Sequence, residues 1–224
     1  MKKIMSLILI TCIFSINGLA SSDNSIDSIS KDIASKTNNL KPEVAKLAIE
    51  AYYNAQKTGV NVKKPILTII DYTLASTQKR LWVVDLESKK VLYTSLVAHG
   101  KYSGDNYTTK FSNNSGSLQT SVGLFLTEET YIGNRGYSLR LQGLEKGFND
   151  KARDRAIVFH GAPYVSEQFA AATGRIGRSW GCPAVENSLA KPIINTIKNG
   201  TLIFSFYNHP QWLSESKFIN NHHA

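Results

Sequence analysis

Cys182, in the run Ser179-Trp180-Gly181-Cys182-Pro183, is the residue best placed to do chemistry; the only other thiol, Cys12, lies in an apolar N-terminal stretch. A free thiol has a pKa of about 8.5 and is only a few per cent ionised at neutral pH, so a nucleophilic cysteine needs a base or a cation beside it. The five histidines are candidates for that base: His99, His160, His209, His222 and His223. The last two sit at the extreme C-terminus, and His209 follows the final strand-like segment beside Pro210. His99 and His160 differ from these, because each ends an apolar run that passes into a glycine: Leu96-Val97-Ala98-His99-Gly100 and Ile157-Val158-Phe159-His160-Gly161. Either can serve as the base. Between His160 and Cys182 lie 21 residues, enough for a loop with a short helix to bring the chain back.

The neighbours of Cys182 add to this reading. Gly181 removes side-chain bulk where a carbonyl must approach the sulfur, and backbone N–H groups around Gly181 and Cys182 are expected to form an oxyanion site. Pro183 has no N–H to offer. Arg175 and Arg178 are placed to hold a carboxylate or to lower the thiol pKa. No Cys-x-x-Cys or His-Glu-x-x-His occurs, the histidines lack metal-ligand spacing, and the Gly174–Ser179 run lacks the lysine and spacing of a phosphate loop. No metal or organic cofactor is expected.

The N-terminus determines where such chemistry would take place. Lys2 and Lys3 precede an apolar stretch from Ile4 to Ile16 and then Gly18-Leu19-Ala20. This is the pattern of a cleaved secretory signal over residues 1–20, too short for a membrane anchor. Cleavage after Ala20 would remove Cys12 and leave Cys182 as the lone thiol of a periplasmic or extracellular protein with no stable membrane span. It would also lower the formal charge from +9 to +7. The cations are scattered rather than clustered, which argues against nucleic acid and for anionic envelope polymers.

About 204 residues remain, enough for one domain with its own core. Residues 21–41 are rich in Ser, Asp, Asn and Lys and read as a polar flexible arm or weak helix. Val44, Leu47, Ala48, Ala51, Tyr52 and Ala55 recur at helical spacing, with Pro42 at the start and Gly59 at the stop, predicting a helix over 42–57. Seven short strands are expected over 66–72, 81–86, 91–98, 123–127, 138–141, 156–159 and 202–207, with helical pieces over 165–172 and 188–198. The expected architecture is mainly β, an antiparallel sandwich-like catalytic domain over 42–208 with short inserted helices and a C-terminal tail over 209–224.

The sequence resembles the L,D-transpeptidases of bacterial cell walls, in a branch whose thiol motif reads Ser-Trp-Gly-Cys-Pro. His160-Gly161 matches the family's strand-end His-Gly, and Ser179, Gly181 and Cys182 match its Ser/Thr-His-Gly-Cys. The likeness runs from about Val44 to Tyr207 and includes Arg80-Leu81-Trp82-Val83-Val84-Asp85, Ala98-His99-Gly100, Phe111-Ser112-Asn113 and Tyr137-Ser138-Leu139-Arg140-Leu141. Trp180 replaces the second His of the motif, and Pro183-Ala184 replaces the usual aliphatic-Arg/Asn pair.

The resemblance implies His160 as base, Cys182 as nucleophile, Ser179, Gly181 and Gly161 as positioning residues, and Arg178, Arg175 and Trp180 at the substrate, with His99 a substrate contact, a partner that orients the site or a structural residue. It implies peptidoglycan stem peptides as donors and a stem peptide, a D-amino acid or an amine-bearing envelope protein as acceptor. The alternatives are an L,D-carboxypeptidase or other cysteine hydrolase with the same residues, and a non-catalytic cell-wall binding protein.

Overall fold

In the computed structural model, the described residues are 17–220, with side chains from residue 25 onward. The expected signal segment lies mostly outside them. In chain order the elements are α1 (Asn17–Ser35), α2 (Pro42–Lys57), β1 (Ile66–Asp71), β2 (Leu81–Asp85), β3 (Lys90–Ser95), β4 (Gly123–Gly133), β5 (Gly136–Gly143), β6 (Val158–Ala162), α3 (Glu167–Thr173), β7 (Ala184–Glu186), α4 (Asn187–Ile197), β8 (Leu202–Phe206) and α5 (Pro210–Glu215).

The strands are apolar because both faces of the sheet are covered, and alternation decides which cover each side chain meets. Leu67, Ile69, Trp82, Leu124 and Phe204 pack with Val44, Ala48, Ala51 and Ala55 of α2. Their neighbours Ile66, Ile70, Leu81, Phe125 and Ile203 point the other way, onto Ile193, Ile194 and Ile197 of α4. One eight-stranded sheet results, in the order β3-β2-β1-β8-β4-β5-β6-β7. Most pairs are antiparallel, but β1–β8 and β6–β7 are parallel.

The fold is mainly β, as the sequence predicts. Its layers come from a single curled sheet with helices on both sides instead of two facing sheets. The chain leaving β3 at one edge reaches β7 at the other, where Ala98 N donates to Ala184 O at 2.8 Å, so the sheet almost closes on itself.

Two segments are more ordered than the sequence suggests. The stretch read as a flexible arm or weak helix forms α1, which packs on the core through Ile26, Ile29 and fully buried Ile33, a helical spacing that the polar residues between them disguise. The expected C-terminal tail holds α5, whose N-terminus is capped by His209 Nδ1 accepting from Trp212 N. Trp212 is fully buried and donates from Nε1 to Glu145 Oε2 at 2.9 Å, while Glu145 Oε1 accepts from Leu124 N of β4. Burial raises the Glu145 pKa, and these hydrogen bonds oppose that rise. Trp212→Ala removes the buried indole and leaves the carboxylate short of a donor; unfolding stability in urea is expected to fall by roughly 3–5 kcal/mol.

Candidate active site

Cys182 and His160 are brought together by the shortest parallel pairing in the sheet. His160 of β6 lies beside Ala184 of β7, and Cys182 is two residues upstream of that partner. Alternation along β6 sends Ile157 and Phe159 into the core and turns Val158 and His160 outward. Val158 N donates to Cys182 Sγ at 3.4 Å, and Sγ lies 3.7 Å from the carbonyl of Ala156, a residue held at φ +52 just before the strand. Cys182 is half-buried and His160 buried, and both line an open cleft of about 680 Å³.

The His160 tautomer follows from its neighbour. Nδ1 lies 2.8 Å from Gly161 O, and since a carbonyl can only accept, Nδ1 carries the proton and Nε2 is the basic nitrogen. Gly161 has a second role: a Cβ there would meet Asn187 Oδ1 at 2.7 Å and Ala190 Cβ at 2.9 Å, so its bareness lets α4 pack against β6.

The turn before Cys182 is held internally. Ser179 Oγ donates to Cys182 O at 2.6 Å and accepts from Gly181 N at 3.1 Å. Gly181 has φ +123, and a Cβ on it would meet Gln119 O at 2.7 Å. The bulk it removes therefore faces the protein rather than the cleft, and its N–H is already engaged. Of the two oxyanion donors expected from sequence, the Cys182 N–H remains, directed at its own sulfur rather than at another residue.

His99 does not join the cleft. It is fully buried, and its Nδ1 lies 2.8 Å from Arg80 Nη2. Arginine only donates, so Nδ1 is the acceptor and the proton sits on Nε2, which has no partner among the described residues. Burial and the Arg80 charge push the His99 pKa down to about 3, keeping it neutral. Its contribution passes through the backbone: Ser179 N donates to His99 O at 2.9 Å, and Lys101 N donates to Ser179 O at 2.7 Å.

The arginines expected at the substrate are largely engaged elsewhere. Arg175 pairs with Asp105 at 2.8 Å. Arg178 lines the cleft, yet it meets the same carboxylate at 3.3 Å and donates to Gly104 O at 2.9 Å. Trp180 stands at the cleft with 68% of its surface exposed.

Sequence reasoning missed Arg135, Arg155, Tyr131 and Tyr164, which also line the cleft. The available sign was Gly133-Asn134-Arg135-Gly136, a hairpin turn that projects an arginine from its tip. Arg155 lies just ahead of a predicted strand, where nothing in the sequence distinguishes it from a solvated loop cation.

Burial raises the Cys182 pKa, opposed by the Val158 N–H and by Arg155 and Arg135. Burial also lowers that of His160, opposed by its bond to Gly161. At neutral pH the resting pair is therefore thiol and neutral imidazole. Among the described residues, no cluster of His, Cys, Asp or Glu could hold a metal, and no helix is long and apolar enough to cross a membrane.

These features define a cleft with a thiol and an oriented imidazole at one end of a curled sheet. The chain belongs to the L,D-transpeptidase catalytic domain family, whose pattern matches residues 36–206. Among solved structures it is similar to an L,D-transpeptidase from Mycobacterium smegmatis, at 14% identity and TM-score 0.40, covering 64% of this chain and 59% of that one. It is also similar to an L,D-transpeptidase from Stackebrandtia nassauensis, at 16% identity and TM-score 0.40, covering 83% and 92%. A third is the helical cell shape determining protein Pgp2 of Campylobacter jejuni, in its K307A form, at 13% identity and TM-score 0.40, covering 73% and 56%. The chain thus spans about 60% of the length of the mycobacterial protein. No curated protein matches.

Two predictions follow from this geometry. Alkylation of Cys182 by iodoacetamide is expected to accelerate with pH, with its midpoint above the usual thiol range, because the raised thiol pKa withholds the thiolate; stopped-flow rates against pH would show no acid-side plateau of the kind an imidazolium–thiolate pair gives. Arg80→Lys loses the fork that reaches Val97 O, Leu74 O and His99 together, and denaturant unfolding is expected to show a loss of roughly 1–3 kcal/mol.

Proposed function

We propose that the chain is an exported L,D-transpeptidase in which Cys182 attacks an L,D peptide bond of a peptidoglycan stem. The observation that carries this reading is the shared cleft of Cys182 and His160, with the imidazole tautomer fixed by Gly161. Nε2 takes the thiol proton as Sγ bonds to the carbonyl carbon, and the oxyanion forms near the Cys182 N–H. The C–N bond then breaks, His160 returns the proton to the leaving amine, and a thioester remains. An incoming amine attacks that thioester, loses a proton to His160, and leaves Sγ to recover it. The acceptor is a second stem peptide, a D-amino acid or an amine on an envelope protein.

Export rests on the basic, apolar and small-residue pattern of residues 1–20, and the excess of cations suits an anionic cell wall. The cleft is open to solvent, which favours water as a competing acceptor and keeps a carboxypeptidase as the second reading.

Intact-mass measurement after incubation with a carbapenem, a β-lactam class the family resemblance expects to acylate such thiols, tests the nucleophile. One adduct is expected, absent in Cys182→Ala and formed at least about 100-fold more slowly in His160→Gln. An adduct that persists in Cys182→Ala would overturn the assignment. Muropeptide product analysis then separates transfer from hydrolysis.

A further inference from the structure

Beside Cys182 stands a cation that the mechanism above does not use and that its surroundings hold still. Arg155 is half-buried, and its Nη1 and Nη2 donate to Ser112 O, Ser121 Oγ, Ser117 Oγ and Gln119 O at 2.6–3.1 Å. All four acceptors are neutral, and among the described residues no aspartate or glutamate lines the cleft. The guanidinium is therefore fixed in position while its charge goes unanswered.

Its closeness to the sulfur follows from the chain. Arg155 directly precedes Ala156, whose carbonyl lies 3.7 Å from Cys182 Sγ and whose φ of +52 turns the backbone into β6. From that corner the side chain crosses to the 112–121 loop, where its acceptor Gln119 O sits 2.7 Å from the place a Cβ on Gly181 would take. Arg155 is thus tied at one end to a residue that touches Sγ and at the other to the residue packed under the cysteine turn. The two groups sense each other: the guanidinium lowers the thiol pKa, and the ionised thiol opposes the fall that burial imposes on the Arg155 pKa. Arg135, at the tip of the β4–β5 hairpin beyond a bulge between Thr127 and Thr130, also favours the thiolate, but it is exposed to water.

We propose that Arg155 serves the Cys182 nucleophile as a fixed cation, stabilising negative charge on the sulfur as the thiol proton passes to His160 Nε2. It acts through space, without touching the reacting atoms. A charge already oriented beside a partly desolvated sulfur needs no rearrangement when the proton moves, and its field is weakened less than that of a cation in open water. The four neutral acceptors suit this role, because they hold the guanidinium without cancelling its charge. A contribution to acyl transfer rests on the proposed transpeptidase activity, whereas the effect on the thiol does not.

The test reads the thiol directly, from iodoacetamide alkylation rates against pH in the full chain. The other titratable groups of the cleft are His160, Arg135, Arg178, Tyr131 and Tyr164, with Tyr72 buried behind the cysteine turn, and all are common to the proteins compared. Arg155→Gln should raise the midpoint by about one pH unit and slow alkylation near neutral pH about tenfold. Arg155→Lys loses the fork but keeps the charge, and should move the midpoint less than about half as far. A residue that merely props the 112–121 loop would give both variants the same profile. Equal midpoints in the two variants, or no shift in Arg155→Gln, overturns the proposal.

Should Arg155→Gln fail to fold, salt carries the test in Arg135→Ala, which lacks the exposed cation. Raising sodium chloride from about 0.02 M to about 0.5 M is expected to lift its midpoint by a few tenths of a unit, and a midpoint unmoved by salt overturns the proposal. Carbapenem acylation extends the test to attack on a carbonyl: a rate that falls in Arg155→Gln and recovers in Arg155→Lys supports the role, and equal rates in native protein and Arg155→Gln refute it. A shifted midpoint in a chain that turns over no stem peptide keeps the Arg155 role and removes the transpeptidase reading.

Discussion

The candidate site depends on one buried cation. Arg80 is fully enclosed, and its guanidinium donates to Leu74 O at 2.7 Å, to Val97 O at 2.9 and 3.2 Å and to His99 Nδ1 at 2.8 Å, with the Tyr72 ring 5.0 Å away. Burial lowers its pKa only to about 10, so it stays charged at neutral pH. A buried charge is tolerated where its donors are satisfied, and satisfying them ties two stretches of irregular chain, around Leu74 and over 97–99, to one point. From there the restraint reaches the turn bearing Cys182 through the backbone of His99, which holds Ser179, and through Thr120, whose Oγ accepts from Gly100 N and lies 3.4 Å from Gly181 O. The turn bearing Cys182 has little regular secondary structure of its own, and this network takes its place.

Such a support has an electrostatic consequence for the reaction. The same burial that fixes the geometry disfavours both members of a thiolate–imidazolium pair, raising one pKa and lowering the other. The resting site therefore keeps its proton on sulfur; in the reaction proposed above, proton transfer to Nε2 would accompany attack rather than precede it. The Val158 N–H, Arg155 and Arg135 work against this desolvation.

Much of this was legible in the sequence, for identifiable reasons. Helix α2 matches the predicted 42–57, because its apolar spacing and Pro42 are both local signals. The seven expected strands all form, since their runs of β-branched and aromatic residues are local signals. β7 went unseen because three residues after a proline carry no pattern, and α1 was legible only as the weaker of two readings because its apolar residues are few. Cys182 and His160 stood out by type and setting. The placement of His99 and Arg175 did not, because whether a histidine or an arginine faces a cleft or a carboxylate such as Asp105 depends on contacts distant in sequence. Arg155 illustrates the same limit, as its four acceptors lie 34 to 43 residues away.

The residues after the cysteine also have a structural reading. Ala184 is fully buried, pairs with His160 and accepts from Ala98 N where the sheet nearly closes. A guanidinium in that place would have to be desolvated inside the seam joining the two sheet edges, at a cost of several kcal/mol without a partner. Pro183 adds to the constraint, since its carbonyl faces His160 N at 3.4 Å. With the seam closed by small and rigid residues, a cation for the cleft has to come from another direction. The bulged β4–β5 hairpin and the segment before β6 supply two, on the same side of the sheet as the sulfur.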